Sequence, residues 1–182
     1  MSASDRADQS GALGLRPATL HDLELLRRWD AKPHVLEADP NDDWGWETEL
    51  ALSPDWREQL IAEIDGRPIG FVQIIDPARE DSHYWGDCPP NLRAIDLWIG
   101  EEAYLGRGYG TEMMEQALAR SFRDPKVGAV LVDPLFARDR ARRFYERLGF
   151  EFIERRQFGD DDCAVYRLTR DRWRRRASRT ST

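Results

Sequence analysis

Apolar residues recur along this chain with two periods, and the switching between them outlines a mixed α/β domain. Residues 13–16 form a short apolar-polar run that predicts a first strand. Thr19 follows as an N-cap, with Asp22 three positions on, and Leu23, Leu26 and Trp29 then fall at helical spacing, predicting a helix to about Asp30. The stretch 56–64 drifts from helical into strand patterning, and Asp65-Gly66 turns it into 69–75 as a hairpin. After a strand over 92–99, the residues Tyr109, Met113, Met114, Ala117, Leu118 and Phe122 make one helical stripe across 109–122. A short apolar strand at 129–132, a helix at 138–148 and strands at 150–155 and 163–168 complete the series. Segments 32–46 and 77–90, rich in Pro, Asp and Trp or in Pro, Asp, Ser and Gly, read as loops. Because a helix joins 92–99 to 129–132, those two strands are predicted to be parallel. No internal repeat or linker interrupts the pattern.

Length and charge narrow the possibilities. At 182 residues with 41% hydrophobic content the chain supports one cored domain, expected over 13–168. Residues 1–12 have few large apolar side chains and are expected to be disordered, and 169–182 reads as a basic C-terminal tail, an Arg-rich helix terminus or frayed end. No apolar run nears the ~20 residues that span a bilayer, and the start is polar and small. A cytoplasmic protein with no membrane partner is therefore expected. Cys88 and Cys163 are far apart, and neither they nor His21, His34 and His83 show metal-ligand spacing, so no disulfide and no metal are expected. A net charge of −7 argues against a nucleic-acid partner. Six acids stand between Glu37 and Glu49 without a base, and Asp160, Asp161 and Asp162 form a second cluster. They suit a cationic ligand if they line one cleft, and are a solvated surface if they do not.

The candidate chemistry sits at Gly106-Arg107-Gly108-Tyr109-Gly110-Thr111, between the strand 92–99 and the helix 109–122. Glycine tolerates positive φ and admits a ligand close to the backbone, while a helix start offers unpaired N–H groups and a positive dipole end. The segment is thus either an anion cradle for a phosphate-bearing ligand or a tight strand-to-helix turn. No lysine follows Gly110, which argues against a nucleotide P-loop, and the mid-chain position and tight spacing argue against a dinucleotide fold. Downstream, residues 138–150 place Ala141, Phe144, Tyr145 and Leu148 on one helical face, end on Gly149 as a C-cap, and lead into a strand.

In that order the two motifs resemble the GCN5-related N-acetyltransferase (GNAT) superfamily over roughly residues 13–168. With Asn91 to Asp96, Asp133-Pro134 and Ala164-Val165-Tyr166 added, the chain is similar to the aminoglycoside 6′-N-acetyltransferase branch, whose outline siderophore-type acyltransferases share. The resemblance implies a mixed central sheet splayed into a V with flanking helices, and acetyl-CoA as cosubstrate. It implies coenzyme contacts from Trp98, Ile99, Leu105, Gly106, Arg107, Gly108, Tyr109, Gly110, Thr111, Arg138 and Arg142. Two departures stand out: Leu105 replaces the superfamily's usual Gln or Arg, and Arg138 replaces a frequent Asn.

Acyl transfer to an amine needs a proton acceptor and gains from a donor to the leaving thiolate. By the resemblance Asp96 is the candidate base and Tyr145 the candidate acid. Asp133 matches an acceptor-binding acid and otherwise reads as a turn-former before Pro134. For an acceptor carrying several ammonium groups, carboxylates and flat aromatic faces are wanted, and Trp44, Trp46, Trp85, Asp42, Asp43, Asp96 and Asp161 are the candidates. Each tryptophan also reads as core packing. The expected partner is a small cationic amine, bound by a monomer or homodimer. Three activities remain open: 6′-acetylation of aminoglycosides, acylation of a hydroxylysine or other amine, and coenzyme binding without catalysis.

Overall fold

The computed structural model describes residues 11–38, 40, 41 and 43–180. The tail expected at 1–12 therefore lies outside the described residues up to position 10, and Asp42 with it. Among the described residues seven strands form one sheet: β1 (Leu13–Pro17), β2 (Arg57–Ile64), β3 (Arg67–Ile75), β4 (Leu92–Ile99), β5 (Ala129–Val132), β6 (Glu151–Phe158) and β7 (Asp161–Thr169), in the order β1-β2-β3-β4-β5-β7-β6. The helices are α1 (Leu23–Asp30), α2 (Pro33–Leu36), α3 (Trp46–Ala51), α4 (Tyr109–Ser121), α5 (Asp139–Arg147) and α6 (Arg170–Thr180). No helix among the described residues is long and apolar enough to cross a membrane, and none of their side chains cluster as metal ligands.

The parallel pairing expected across the glycine-led helix is present, and it is short. β4 and β5 pair only at Leu92↔Ala129, Arg93↔Val130 and Ala94↔Leu131, whereas β3 accompanies β4 as far as Gly70↔Ile99. Beyond Val132 the chain stays with β7, where Ala164 N–H donates to Pro134 and Phe136 N–H to Asp162. The sheet therefore forks after Ala94, which gives the expected V. Side chains alternate across β4. Ile95, Leu97 and Ile99 pack with Met113, Met114 and Leu118 of α4, while Trp98 joins Phe71, Trp44 and Trp46 on the face that α1 and α3 cover. Asp96 shares the Trp98 face.

Three segments differ from their sequence pattern. β2 is extended from Arg57 onward, with no helical portion at its start, because both its neighbours pair with it. The loop expected over 32–46 is interrupted by α2 and ends where α3 begins, at Trp46, whose ring is buried. The Arg-rich stretch after Leu168 is α6. Its arginines bond to carbonyls at the ends of other helices, Arg170 to Phe122 (2.9 Å), Arg172 to Gly149 (2.7 Å) and Arg176 to Leu148 (2.6 Å), and Arg170 also to Val127 (2.8 Å) in the loop before β5. Cations there satisfy the last carbonyls of α4 and α5 and face the negative dipole ends. Trp173 stacks on Phe122 at 4.8 Å and ties α6 to the core.

Candidate active site

Four side chains from separate elements are linked electrostatically near the fork, Tyr145 and Tyr84 each feeling the charges of Asp96 and Asp133. Asp96 comes from β4, Asp133 from the residue after β5, Tyr145 from α5, and Tyr84 from the loop between β3 and β4. The Tyr84 hydroxyl donates to Asp133 Oδ2 at 2.7 Å. Its ring is held flat against Phe158 (4.5 Å, 8°) and edge-on to Trp85 (5.9 Å), so the hydroxyl is aimed by packing. Burial pushes the Tyr145 phenol well above its ordinary pKa, and the charges of Asp96 and Asp133 push it further. Tyr145 is consequently neutral across the physiological range. Burial also raises Asp133; the Tyr84 hydroxyl and a backbone N–H oppose this, Asp161 adds to it, and the carboxyl ends up at about 6.

Asp96 accepts a hydrogen bond from Gln73 Nε2 at 3.2 Å. Trp98, two residues further along the same face of β4, belongs to a cluster of aromatic rings. Trp44 is half-buried, stacks on Trp46 (5.0 Å, 4°) and leans on Trp98 (5.1 Å). Trp46 and Trp85 are 3% and 4% exposed and sit inside core clusters, Trp46 donating its indole N–H to Asp30. Trp44 is thus the one of the three with an accessible face. The two acidic segments touch at one bond, Asn41 Nδ2 donating to Asp161 Oδ1 at 2.6 Å, while Glu37 pairs with Arg138 at the start of α5 at 3.2 Å. Asp43 is exposed and accepts from the Gly45 N–H at 3.2 Å.

On the α4 side of the fork two of the glycines take the positive φ that a sharp strand-to-helix turn uses. Gly106 (φ 71°) and Gly108 (φ 89°) are left-handed, and Gly108 is the N-cap of α4. The N–H groups of Thr111 and Glu112 return to the Gly108 carbonyl (3.0 and 3.2 Å), while those of Tyr109 and Gly110 precede any intrahelical acceptor. A Cβ at Gly106 or Gly108 would project into open space, so the protein itself fills none of the volume these residues leave bare. A concave run of backbone N–H groups at a helix start fits a pyrophosphate. Leu105 and Arg107 flank it, exposed. Other expected coenzyme contacts are engaged within the protein. The Ile99 carbonyl lies 2.8 Å from His34 Nε2, and Arg142 bonds to the Phe136 carbonyl (3.3 Å) and the Tyr166 hydroxyl (3.2 Å). The Trp98 indole N–H is buried and makes no hydrogen bond among the described residues.

Tyr84 and Gln73 are the site residues that the sequence pattern missed. Gln73 carried a faint signal, as a polar residue in the otherwise apolar run of β3, directly opposite Asp96 in register.

A sheet split around a glycine-led helix start, with a neutral phenol beside two carboxylates at the fork, is the framework of an acyltransferase acting on a coenzyme thioester. The chain belongs to the acetyltransferase (GNAT) domain family, whose model matches residues 18–158. It is similar to aminoglycoside N(6′)-acetyltransferase type 1 of Klebsiella pneumoniae, at 30% identity over 158 residues, covering 79% of this chain and 76% of that protein. It is similar as well to the lysine N-acyltransferase MbtK of Mycobacterium tuberculosis, at 27% identity over 169 residues, covering 85% and 76%. Among solved structures, aminoglycoside acetyltransferase AAC(6′)-Ib in complex with coenzyme A and kanamycin superposes with a TM-score of 0.79 at 28% identity, covering 90% of this chain and 98% of that one.

Proposed function

We propose that this acyltransferase moves an acetyl group from acetyl-CoA to the 6′-amine of an aminoglycoside, cancelling a positive charge with which the drug would bind ribosomal RNA. The observation that carries the reading is the cluster of Asp96, Asp133 and Tyr145 at the fork, with acids on both neighbouring loops, in a chain similar to enzymes of that name. Acetyl-CoA brings the acetyl group as an activated thioester. The N–H groups of residues 106–110 hold its pyrophosphate. Asp133 and Asp161 bind ammonium groups of the acceptor, and Trp44 offers it a flat face. The Asp96 carboxylate takes a proton from the attacking amine, directly or through one water, and the Tyr145 phenol gives its proton to the departing sulfur. One proton enters and one leaves the protein, so solvent exchange resets both groups.

Thiol release from acetyl-CoA in the presence of kanamycin, tobramycin and a hydroxylysine panel tests the proposal. Saturable turnover on the drugs is the expected result. Turnover confined to hydroxylated or simple lysine acceptors would favour the second reading, a siderophore-type acyltransferase, for which the similarity to MbtK speaks. Turnover on no amine, with coenzyme bound, would leave a binding module.

Run against pH, the same assay has a predicted shape. Asp133 is charged above about 6 and neutral below it, so attraction for a cationic acceptor is lost as pH falls through that value. kcat/KM for kanamycin is expected to drop there mainly through a rising KM. Asp133→Asn should remove that part of the profile. A Gly108→Ala variant is expected to bind coenzyme A at least tenfold more weakly by calorimetry, because its methyl group enters the cradle. Forcing a φ of 89° on alanine costs about 1–2 kcal/mol besides, a fall in Tm of roughly 2–8 °C.

A further inference from the structure

Asp96 is the end of a line of side chains that crosses three strands. Gln59 of β2 stands directly opposite Gln73 of β3, and Gln73 directly opposite Asp96 of β4. Gln59 Nε2 donates to Gln73 Oε1 at 3.0 Å, and Gln73 Nε2 donates to Asp96 Oδ2 at 3.2 Å. All three are half-buried on the sheet face that carries Trp98. An amide has a donor end and an acceptor end, so Gln73 can serve both neighbours in one orientation only, with its NH2 towards the carboxylate. We infer that Gln73, backed by Gln59, is a positioning residue that holds the Asp96 carboxylate ionised and fixed for proton abstraction, an inference that rests on Asp96 being the base of the proposed transfer.

The physical need for such a device lies in what faces Asp96. Asp133 brings a like charge to the same site, and Tyr145 and Tyr84 both feel the two carboxylates. A second carboxylate nearby disfavours ionisation, and a donor aimed at the charged form opposes that effect. Gln59 strengthens the donor: with its carbonyl occupied, the Gln73 amide is polarised towards Asp96. Without Gln59, the Gln73 carbonyl is half-buried with nothing on β2 to satisfy it, and an inverted amide that turns its oxygen on Asp96 becomes competitive.

The test is a 13C NMR titration of the Asp96 side-chain carboxyl in the substrate-free protein, for wild type, Gln73→Met, Gln59→Met and the double variant, with kinetics on the same four proteins. Gln73→Met is expected to raise the Asp96 midpoint by about one pH unit, the effect of losing one donor to a carboxylate. It should move the acid limb of kcat by the same amount and lower kcat about tenfold while KM for the amine holds. Gln59→Met should act in the same direction but less, and add nothing in the Gln73→Met background, since it works through Gln73. Gln73→Glu, of unchanged shape, provides a second variant if methionine disturbs the fold, and should raise the midpoint further. An unmoved Asp96 midpoint in both Gln73 variants, or full additivity in the double variant, overturns the inference. Because the titration needs no substrate, it separates this failure from that of the acetyl-transfer reading, which would appear as intact midpoint shifts in a protein that acetylates no amine.

Discussion

Asp96→Asn is expected to lower kcat for aminoglycoside acetylation by about 10²- to 10⁴-fold, the range for removing a positioned proton acceptor. The asparagine keeps the shape of aspartate and still offers an oxygen to Gln73 Nε2, so the β3–β4 pairing and the amide line are retained. What it lacks is basicity. The coenzyme cradle at residues 106–110 lies beyond the end of β4, so calorimetric affinity for coenzyme A should be unchanged. The expected signature is a loss in kcat with Kd for coenzyme A and Tm unaltered, in contrast to Asp133→Asn, whose effect falls mainly on KM. A fall of less than tenfold would move the base elsewhere at the fork.

That Asp96 could be singled out from sequence, and Tyr84 could not, has a physical reason. The glycines are marked by a local rule, a glycine turn before a helix, whereas Asp96 and Tyr145 take their candidate roles from the family resemblance and are locally no more than an acid within an apolar strand and a tyrosine on a helical stripe. One crossover, from β4 through α4 to β5, sets Asp96 and the glycines beside the fork, and the next helix, α5, carries Tyr145. Tyr84 lies in an irregular loop, and its position is fixed by Phe158, which stands 74 residues downstream on β6 and leaves no local trace. Packing decided the tryptophans too. Trp46 and Trp85, expected in the acceptor pocket from their loop placement beside acids, are instead held in the core by long-range contacts with Phe71 and Phe158. The arginines of α6 were legible only as charge, because their partners are backbone carbonyls that sequence does not mark.

Gly100→Ala is expected to be the most destabilising small substitution near the site, costing about 3 kcal/mol and lowering Tm by roughly 6–12 °C. Gly100 follows β4 directly, and its N–H donates to the Ile69 carbonyl at 2.8 Å. Its φ is not left-handed, so the backbone would accept alanine and the whole penalty is steric. A Cβ there would sit 2.1–2.4 Å from three atoms of the Trp29 indole. Trp29 cannot step aside cheaply. It is fully buried, and its N–H donates to Glu101 Oε1 (2.7 Å), whose other oxygen is held by Lys32 Nζ at 2.7 Å. Something must move, and the candidates are α1 or the end of β4. Movement of β4 would displace the ground between Asp96 and the glycine cradle, so kcat/KM should fall with stability. Trp29→Leu makes room for the methyl group; adding Gly100→Ala to that variant should cost under about 1 kcal/mol, a coupling that thermal melts of the four proteins would reveal. A Gly100→Ala protein melting within 2 °C of wild type would mean that the indole yields, and that the fork is softer than its packing implies.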